Sequence, residues 1–342
     1  MDIKNSIVPG LIITVIIAYF SEFIHGIIVI GGQKPVSGVI IAILAGILIK
    51  NTIGVGPRFQ QGIDFALKKV LKGAIILLGL SLSFVTVVTT GAKAFVIILV
   101  CVIFAITFTY FIGRKLGLPD KLAMLIGIGT AICGSTAIVA ASPAIDARDE
   151  EVTFSVATIT IFGVLAIFLY PILGKILVLT DMQFGTWSGI AVHETAQVVA
   201  AGFAYSDAAG KIATVVKLTR TVLLAPIVLI LGVMYSRKQN STTAGKVNYF
   251  KIFPWFVVGF IALAGLRTVG DALWLNSIEW TTFLSQTNSV SKFMIVMAMA
   301  GVGLLTNFDD MKQVGIKPFI VGLVASLIMA VFSIALIFIL GI

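Results

Sequence analysis

The sequence predicts an all-α polytopic membrane protein of about eleven transmembrane helices, and three observations carry that prediction. Of 342 residues, 59% are apolar and only 11% charged, with a mean hydropathy of +1.12; a water-soluble fold needs more polar residues than this leaves. The apolar residues come in runs, several of them long enough to cross a bilayer, which takes about 20. The lysines and arginines fall in the short stretches between runs. There they act as topology signals, so the net charge of +9 does not point to nucleic acid.

Eleven segments are candidates: 7–30, 36–50, 71–91, 94–113, 122–144, 152–178, 186–204, 212–235, 251–268, 290–306 and 317–341. The second, seventh and tenth are the weakest, being short or glycine-rich. The first is too long for a signal-peptide core and lacks a cleavage site, so it reads as a retained span. Cys101 and Cys133 both lie in apolar runs, which leaves no disulfide framework and no cysteine-rich metal site.

Charge sets the orientation. With the N-terminus in the cytoplasm, Lys34, Lys93, Arg148, Lys211, Arg267 and Lys292 lie outside. Sixteen cations lie inside, among them Lys4, Lys50, Arg114, Lys115, Lys121, Lys175, Lys246, Lys251 and Lys312. Lys217 and Arg220 remain within a span. The split predicts a multi-pass membrane protein with its N-terminus cytoplasmic and its C-terminus outside. The acidic stretch Asp146–Glu151 then faces outward.

The order of features repeats. Pro35–Val39 opens the second segment and Thr186–Ile190 the seventh. GTAICGSTAIVAASPAI (Gly129–Ile145) interrupts the fifth, and MAGVGLLTNFDDM (Met299–Met311) the tenth. The sixth and eleventh are long and uniformly apolar. This predicts two five-span repeats, 35–180 and 181–342, after an extra N-terminal span, 1–34. Five is odd, so the second repeat enters from the opposite side, as in many secondary transporters. A core of segments 4–6 and 9–11 would move against a panel of the others.

Gly129–Ile145 is the strongest candidate for chemistry. Thr130, Cys133, Gly134, Ser135, Thr136, Ser142 and Pro143 crowd one apolar segment. Glycine and proline unsettle a helix there, and a mid-membrane break exposes N–H groups that suit an anion. Close packing through small residues is the structural alternative. Gly301, Gly303, Thr306 and Asn307 offer a matching break in the tenth segment; Asp309 and Asp310 read as solvated at its edge. Lys217 and Arg220, three apart on one helix face, are costly in a span. Snorkelling to the interface is credible for Lys217 and less so for Arg220. Glu22 and His25 share a face of the first segment and read as structural.

GIAVHETAQVVAAG (Gly189–Gly202) holds His193-Glu194-Thr195-Ala196-Gln197, one residue short of the H-E-x-x-H zinc signature. On a helix His193 and Gln197 would share a face. Zinc needs better and more numerous donors than these, so an intramembrane metalloprotease is a remote alternative. An ion pair between Glu194 and Arg220 is the structural reading. The functional one is a polar cluster that binds substrate or carries a proton.

Together, GTAICGSTAIVAASPAI, GIAVHETAQVVAAG and KLTRT resemble the bacterial membrane family known as sulfate exporters (YeiH-like), over nearly the whole chain. More distantly, the layout is similar to bile-acid/sodium symporters and sodium/proton antiporters, in which two broken helices cross near the membrane centre. The resemblance implies that the fifth and tenth segments are that crossing pair. The antiporters carry acidic residues at the crossing and Thr130–Thr136 has none, which favours an anion or a neutral substrate.

The combined reading is a secondary transporter of a small anion (sulfate, sulfite or a related organic anion) that works by alternating access. An anion channel is the alternative. Thr130, Cys133, Gly134, Ser135, Thr136, Gln197, Arg220, Gly303, Thr306 and Asn307 would bind substrate. His193, Glu194 and Lys217 would couple a proton or sodium ion. No catalytic residue, metal, cofactor or nucleic acid enters the reading; its partners are the anion, the coupling ion and the bilayer, and it allows a homodimer.

Overall fold

The computed structural model describes residues 6–28, 36–239, 253–274, 277–309 and 315–341. Lys4, Lys34, Pro35, Lys246, Lys251, Asp310 and Lys312, all used above, lie outside the described residues. Among the described residues the regular structure is helical, with no strand. α1 (Val8–Ile27), α2 (Gly38–Thr52), α3 (Pro57–Phe65) and α4 (Leu71–Leu78) come first, with a π turn at Ala66–Val70 joining α3 to α4. α5 (Phe84–Lys115), α6 (Asp120–Ala131), α7 (Ser135–Ala141) and α8 (Asp149–Ile176) follow. Next are α9 (Asp181–Ala191), α10 (Thr195–Tyr205), α11 (Asp207–Val222) and α12 (Leu224–Gln239). α13 (Trp255–Trp274), α14 (Ile278–Leu305) and α15 (Ile316–Leu340) complete the described elements.

Among the described residues, seven helices are long and apolar enough to cross a membrane: α1, α5, α8, the α11–α12 pair, α13, α14 and α15. The interruption between α11 and α12 has a local cause. Pro226 lacks an N–H and its ring crowds the carbonyl four residues back, at Val222, where α11 ends.

The chain divides into two compact units. The first comprises Met1–Thr89, Phe203–Asp207 and Trp255–Phe308; the second comprises Thr90–Gly202, Ala208–Pro254 and Asp309–Ile342. The ninth and tenth segments therefore belong to the first unit, and the fourth to sixth and the eleventh to the second.

In the first unit, α2 lies against α14 through small residues. A Cβ on Gly303 would sit 2.3 Å from the Ile43 carbonyl oxygen, and one on Gly46 would sit 2.7 Å from that of Ala300. Such close backbone approach is how small residues join membrane helices. The break expected at Gly303 does not occur, and α14 runs through Gly301 and Gly303 to Leu305. Asn51 then finishes the helix. Its Nδ2 donates to the carbonyls of Ile47 (2.8 Å) and Thr306 (2.9 Å), and its Oδ1 accepts the Phe308 N–H (2.9 Å).

In the second unit, α6 and α7 are the two arms of a hairpin, not an interrupted span. Lys121, at the start of α6, pairs with Asp146, just beyond α7 (Nζ to Oδ2 3.3 Å). Gly129, near the end of α6, lies against Ile138 of α7. The twelve residues of α6 advance about 18 Å, half the depth of a bilayer, before the chain turns back. α9 and α10 form a second hairpin. Gly185 and Gly189 of α9 lie against Ile212 and Val216 of α11, and Gly202 of α10 lies against Gly210 and Ala213 of the same stretch. α9 thus runs with α11, and α10 runs back against it. The 28-residue α8 connects the hairpins, so they enter from opposite ends of the unit.

The fifth and seventh segments therefore do not cross. Removing two crossings changes the side of only the segment between them. Arg148 and Lys175, which bracket that segment, simply exchange sides, and the sixteen-to-six charge split is the same for either topology. Cysteine labelling separates the two. Arg114→Cys and Arg148→Cys are expected to react with an impermeant maleimide from one face of the membrane, and Lys175→Cys from the other. Native Cys101 and Cys133 are 0% and 4% exposed, so background is low. Reaction of positions 114 and 148 from opposite faces would restore the crossing.

Candidate functional site: two hairpin tips on two buried cations

The tips of the two hairpins meet at one side of α11. The first tip, Ile132–Gly134, is built around Gly134, whose φ is +69° and ψ −132°. L side chains rarely adopt that conformation, and glycine takes it freely. The second tip, Val192–Glu194, contains no glycine or proline. It turns because Val192 is extended (φ −78°, ψ 140°) and because Glu194 starts a new helix. The Gln197 side chain accepts the Glu194 N–H (3.2 Å), which is one half of a capping box, with Gln197 at its third helical position. The H-E-x-x-Q stretch is thus a helix start.

That geometry corrects the expectation of a shared helix face. His193 precedes α10, and its Nε2 lies 2.7 Å from Ser326 Oγ on α15. Gln197 instead sends Nε2 to the Thr160 carbonyl on α8 (3.3 Å). Two side chains held on different helices are not a ligand pair. Among the described residues there is also no group of three His, Cys, Asp or Glu placed to hold a metal ion.

Lys217 and Arg220 lie beneath both tips, each 0% exposed. Lys217 therefore does not snorkel. Its Nζ donates to the carbonyls of Ile132 (3.0 Å), Val192 (3.1 Å) and His193, which uses all three of its N–H bonds. Arg220 spreads its fork more widely. Nε donates to Ala131, one terminal nitrogen to Thr130, and the other to Gly189, Ile190 and Val192. These carbonyls belong to the C-terminal ends of α6 and α9. Such ends carry unpaired acceptors and partial negative charge, and a buried helix end needs partners for both. Two cations thus satisfy two half-helix ends at a depth water does not reach. The fully buried positions make these charges costly without such bonds.

The opposite ends of the break are different. Glu194, half-buried, sits at the start of α10 and its Oε1 lies 3.3 Å from the Ser135 N–H in the first turn of α7. The expected Glu194–Arg220 pair is not among the ion pairs of the described residues. A protein carboxylate occupies a place where a helix start favours negative charge. Around it, Ser135 is half-buried, Thr136 exposed and Cys133 buried. Thr130 Oγ1 and His193 Nδ1 are buried with no hydrogen-bond partner among the described residues, although buried polar groups are nearly always paired.

The structure brings together Thr130, Cys133, Gly134, Ser135, His193, Glu194, Gln197, Lys217 and Arg220, all in the second unit. Gly303 and Thr306 serve the α2–α14 junction in the first unit, and Asn307 also has an interaction partner. Sequence reasoning missed Ser326, one of two serines on an otherwise apolar span, and Asn51.

Comparison with known proteins agrees with the membrane assignment. A family profile described as conserved hypothetical protein 698 matches residues 9–322. A UPF0324 membrane protein of Clostridium tetani is 35% identical over 336 residues, covering 95% of this chain and 94% of that one. One from Fusobacterium nucleatum is 36% identical over 92% of both chains. One from Nitratidesulfovibrio vulgaris is 31% identical over 92% of this chain and 88% of its own. With the profile spanning both hairpins and these relatives matching nearly end to end, the chain belongs to the conserved hypothetical protein 698 family of UPF0324 membrane proteins.

Proposed function

We propose that this protein is a secondary transporter that moves a small anion, of the sulfate, sulfite or small organic anion class, by alternating access in the bacterial cell membrane. One observation carries the reading: two hairpins from opposite ends of one unit meet, tip to tip, on two buried cations. Non-helical backbone at membrane depth is tolerated only where protein or a wet cavity satisfies it. Intramembrane charge marks substrate paths, and discontinuous helices from inverted halves form the binding sites of many carriers. On this reading the N-terminus is cytoplasmic and the C-terminus outside, and a homodimer is compatible. Each five-segment half holds one hairpin and four crossings, an even number, so the expected inversion applies to the two hairpins and not to the halves as wholes.

The residues divide the work. Arg220 and Lys217 hold the tips and supply a fixed positive field, since their donors are committed to carbonyls. Substrate binds on the N-terminal side of the tips, at Gly134, Ser135 and Thr136. Glu194 lies in that seat as a resident anion, bonded to the Ser135 N–H. Turning Glu194 aside frees the donor for an incoming anion, so the carboxylate and the substrate compete for one seat.

Liposomes holding purified protein test this. Labelled sulfate or sulfite is expected to exchange saturably with unlabelled anion across the membrane. Glu194→Gln, which keeps shape and removes charge, is expected to exchange with a clearly lower half-saturating anion concentration. Flux no greater than in empty liposomes for sulfate, sulfite and small carboxylates sinks the transport reading. An unchanged half-saturating concentration in Glu194→Gln removes the carboxylate from the mechanism.

A further inference from the structure

We propose that a groove between α5, α6 and α12 holds one acyl chain of an anionic phospholipid, with the headgroup phosphate on Arg114 and Lys115. The groove encloses about 520 Å³, a volume in the range of small-ligand pockets, and lies wholly within the second unit. Its walls are apolar: Ile103, Ile106 and Phe111 of α5, Met124 of α6, and Ile230 and Met234 of α12. Ile103, Phe111, Ile230 and Met234 are 59%, 65%, 56% and 57% exposed. In a bilayer such a groove is open to acyl chains, and the groups at its end decide which lipid stays.

The polar groups collect at one end. The hydroxyls of Tyr110 and Tyr235 both donate to Asp120, at 2.5 and 2.8 Å on its two carboxylate oxygens. That cluster closes the groove and ties α5 and α12 to the start of the first hairpin. Arg114 lies beside it, Nε 3.9 Å from Asp120, with its side chain 48% exposed, and Lys115 is exposed. A long apolar slot with cations gathered at its polar end matches an amphiphile with a negative head. Basic pockets between membrane helices bind anionic headgroups for this reason. A zwitterionic lipid brings a phosphate whose charge its own ammonium offsets, so it is held less firmly by the cations, and a soluble phosphate would leave the slot empty.

The proposal does not depend on transport, and its test reads binding. Purified protein in neutral detergent is titrated with phosphatidylglycerol, with phosphatidylcholine of the same acyl chains, and with glycerol phosphate, while the thermal midpoint is followed; a ligand that binds the folded state raises it. Phosphatidylglycerol is expected to raise the midpoint by several degrees, phosphatidylcholine by clearly less, and glycerol phosphate not at all. Ile230→Trp, which fills the slot, is expected to abolish the response while leaving the lipid-free midpoint in place. Ile103→Trp fills it from α5 and serves if the first variant folds poorly. Arg114→Gln should reduce the phosphatidylglycerol response to that of phosphatidylcholine. Equal responses to the two lipids, a full response to glycerol phosphate, or an undiminished response in both filled variants overturns the proposal.

Discussion

Arg220→Ala is expected to cost the protein most of its stability, whatever it does to transport. The guanidinium satisfies carbonyls on both hairpins at once: Thr130 and Ala131 from the first, Gly189, Ile190 and Val192 from the second. Truncation removes the side-chain donor from the Thr130, Ala131, Gly189 and Ile190 carbonyls, while Val192 keeps Lys217; a buried group left unpaired costs about 1–3 kcal/mol. It also removes the positive charge that offsets two helix C-termini. The total is on the order of 3–5 kcal/mol, similar to breaking a buried ion pair, which is a large part of a typical folding free energy. The expected result is a large fall in thermal midpoint in detergent, or loss of the monodisperse species. Arg220→Lys should recover part of this. An ammonium is a compact point donor and cannot reach across both tips as the planar fork does. The contrast with a substrate-binding arginine is direct. If Arg220 mainly met substrate, Arg220→Ala would keep the wild-type midpoint and lose only anion binding.

Much of this site is legible in the sequence, and the illegible part has identifiable causes. Lys217 and Arg220 stand out because cations inside an apolar run are costly, and they do sit at the centre. Gly134 stands out too, amid small polar residues that a plain span does not need. What hydropathy cannot distinguish is one interrupted crossing from two short arms that return. Both are apolar stretches of similar length. The charge rule is equally blind here, because Arg148 and Lys175 exchange sides one for one. The H-E-x-x-Q stretch misleads through chemistry: its spacing suggests metal ligands, while Glu194 and Gln197 obey the spacing of a helix start. Gly301 and Gly303 mislead through composition. Glycine permits a break and also permits close contact, and only the partner helix, with Gly46 and Ile43, decides between them. Asn51 gave no signal at all, since a lone asparagine near the end of an apolar run is ordinary.

Gly134→Ala is expected to abolish anion flux. Two effects act together at this position. The backbone at φ +69° and ψ −132° is disfavoured for an L residue by about 1–3 kcal/mol. A Cβ built there would also fall 2.3 Å from Glu194 Cγ, closer than two carbons can approach. The carboxylate must leave the Ser135 N–H, or the tip must open. The two effects separate in a double-mutant cycle, because only the second depends on the Glu194 side chain. Glu194→Ala on its own should shift the midpoint modestly. In the Gly134→Ala background it should restore part of the loss, leaving the backbone cost behind. Residues in contact are expected to be non-additive by about 0.5–3 kcal/mol. Additive midpoints would mean that Gly134 and Glu194 do not meet in the protein. The seat proposed for the anion would then lose its resident carboxylate, because the same geometry that makes Gly134 indispensable is what holds Glu194 over the start of α7.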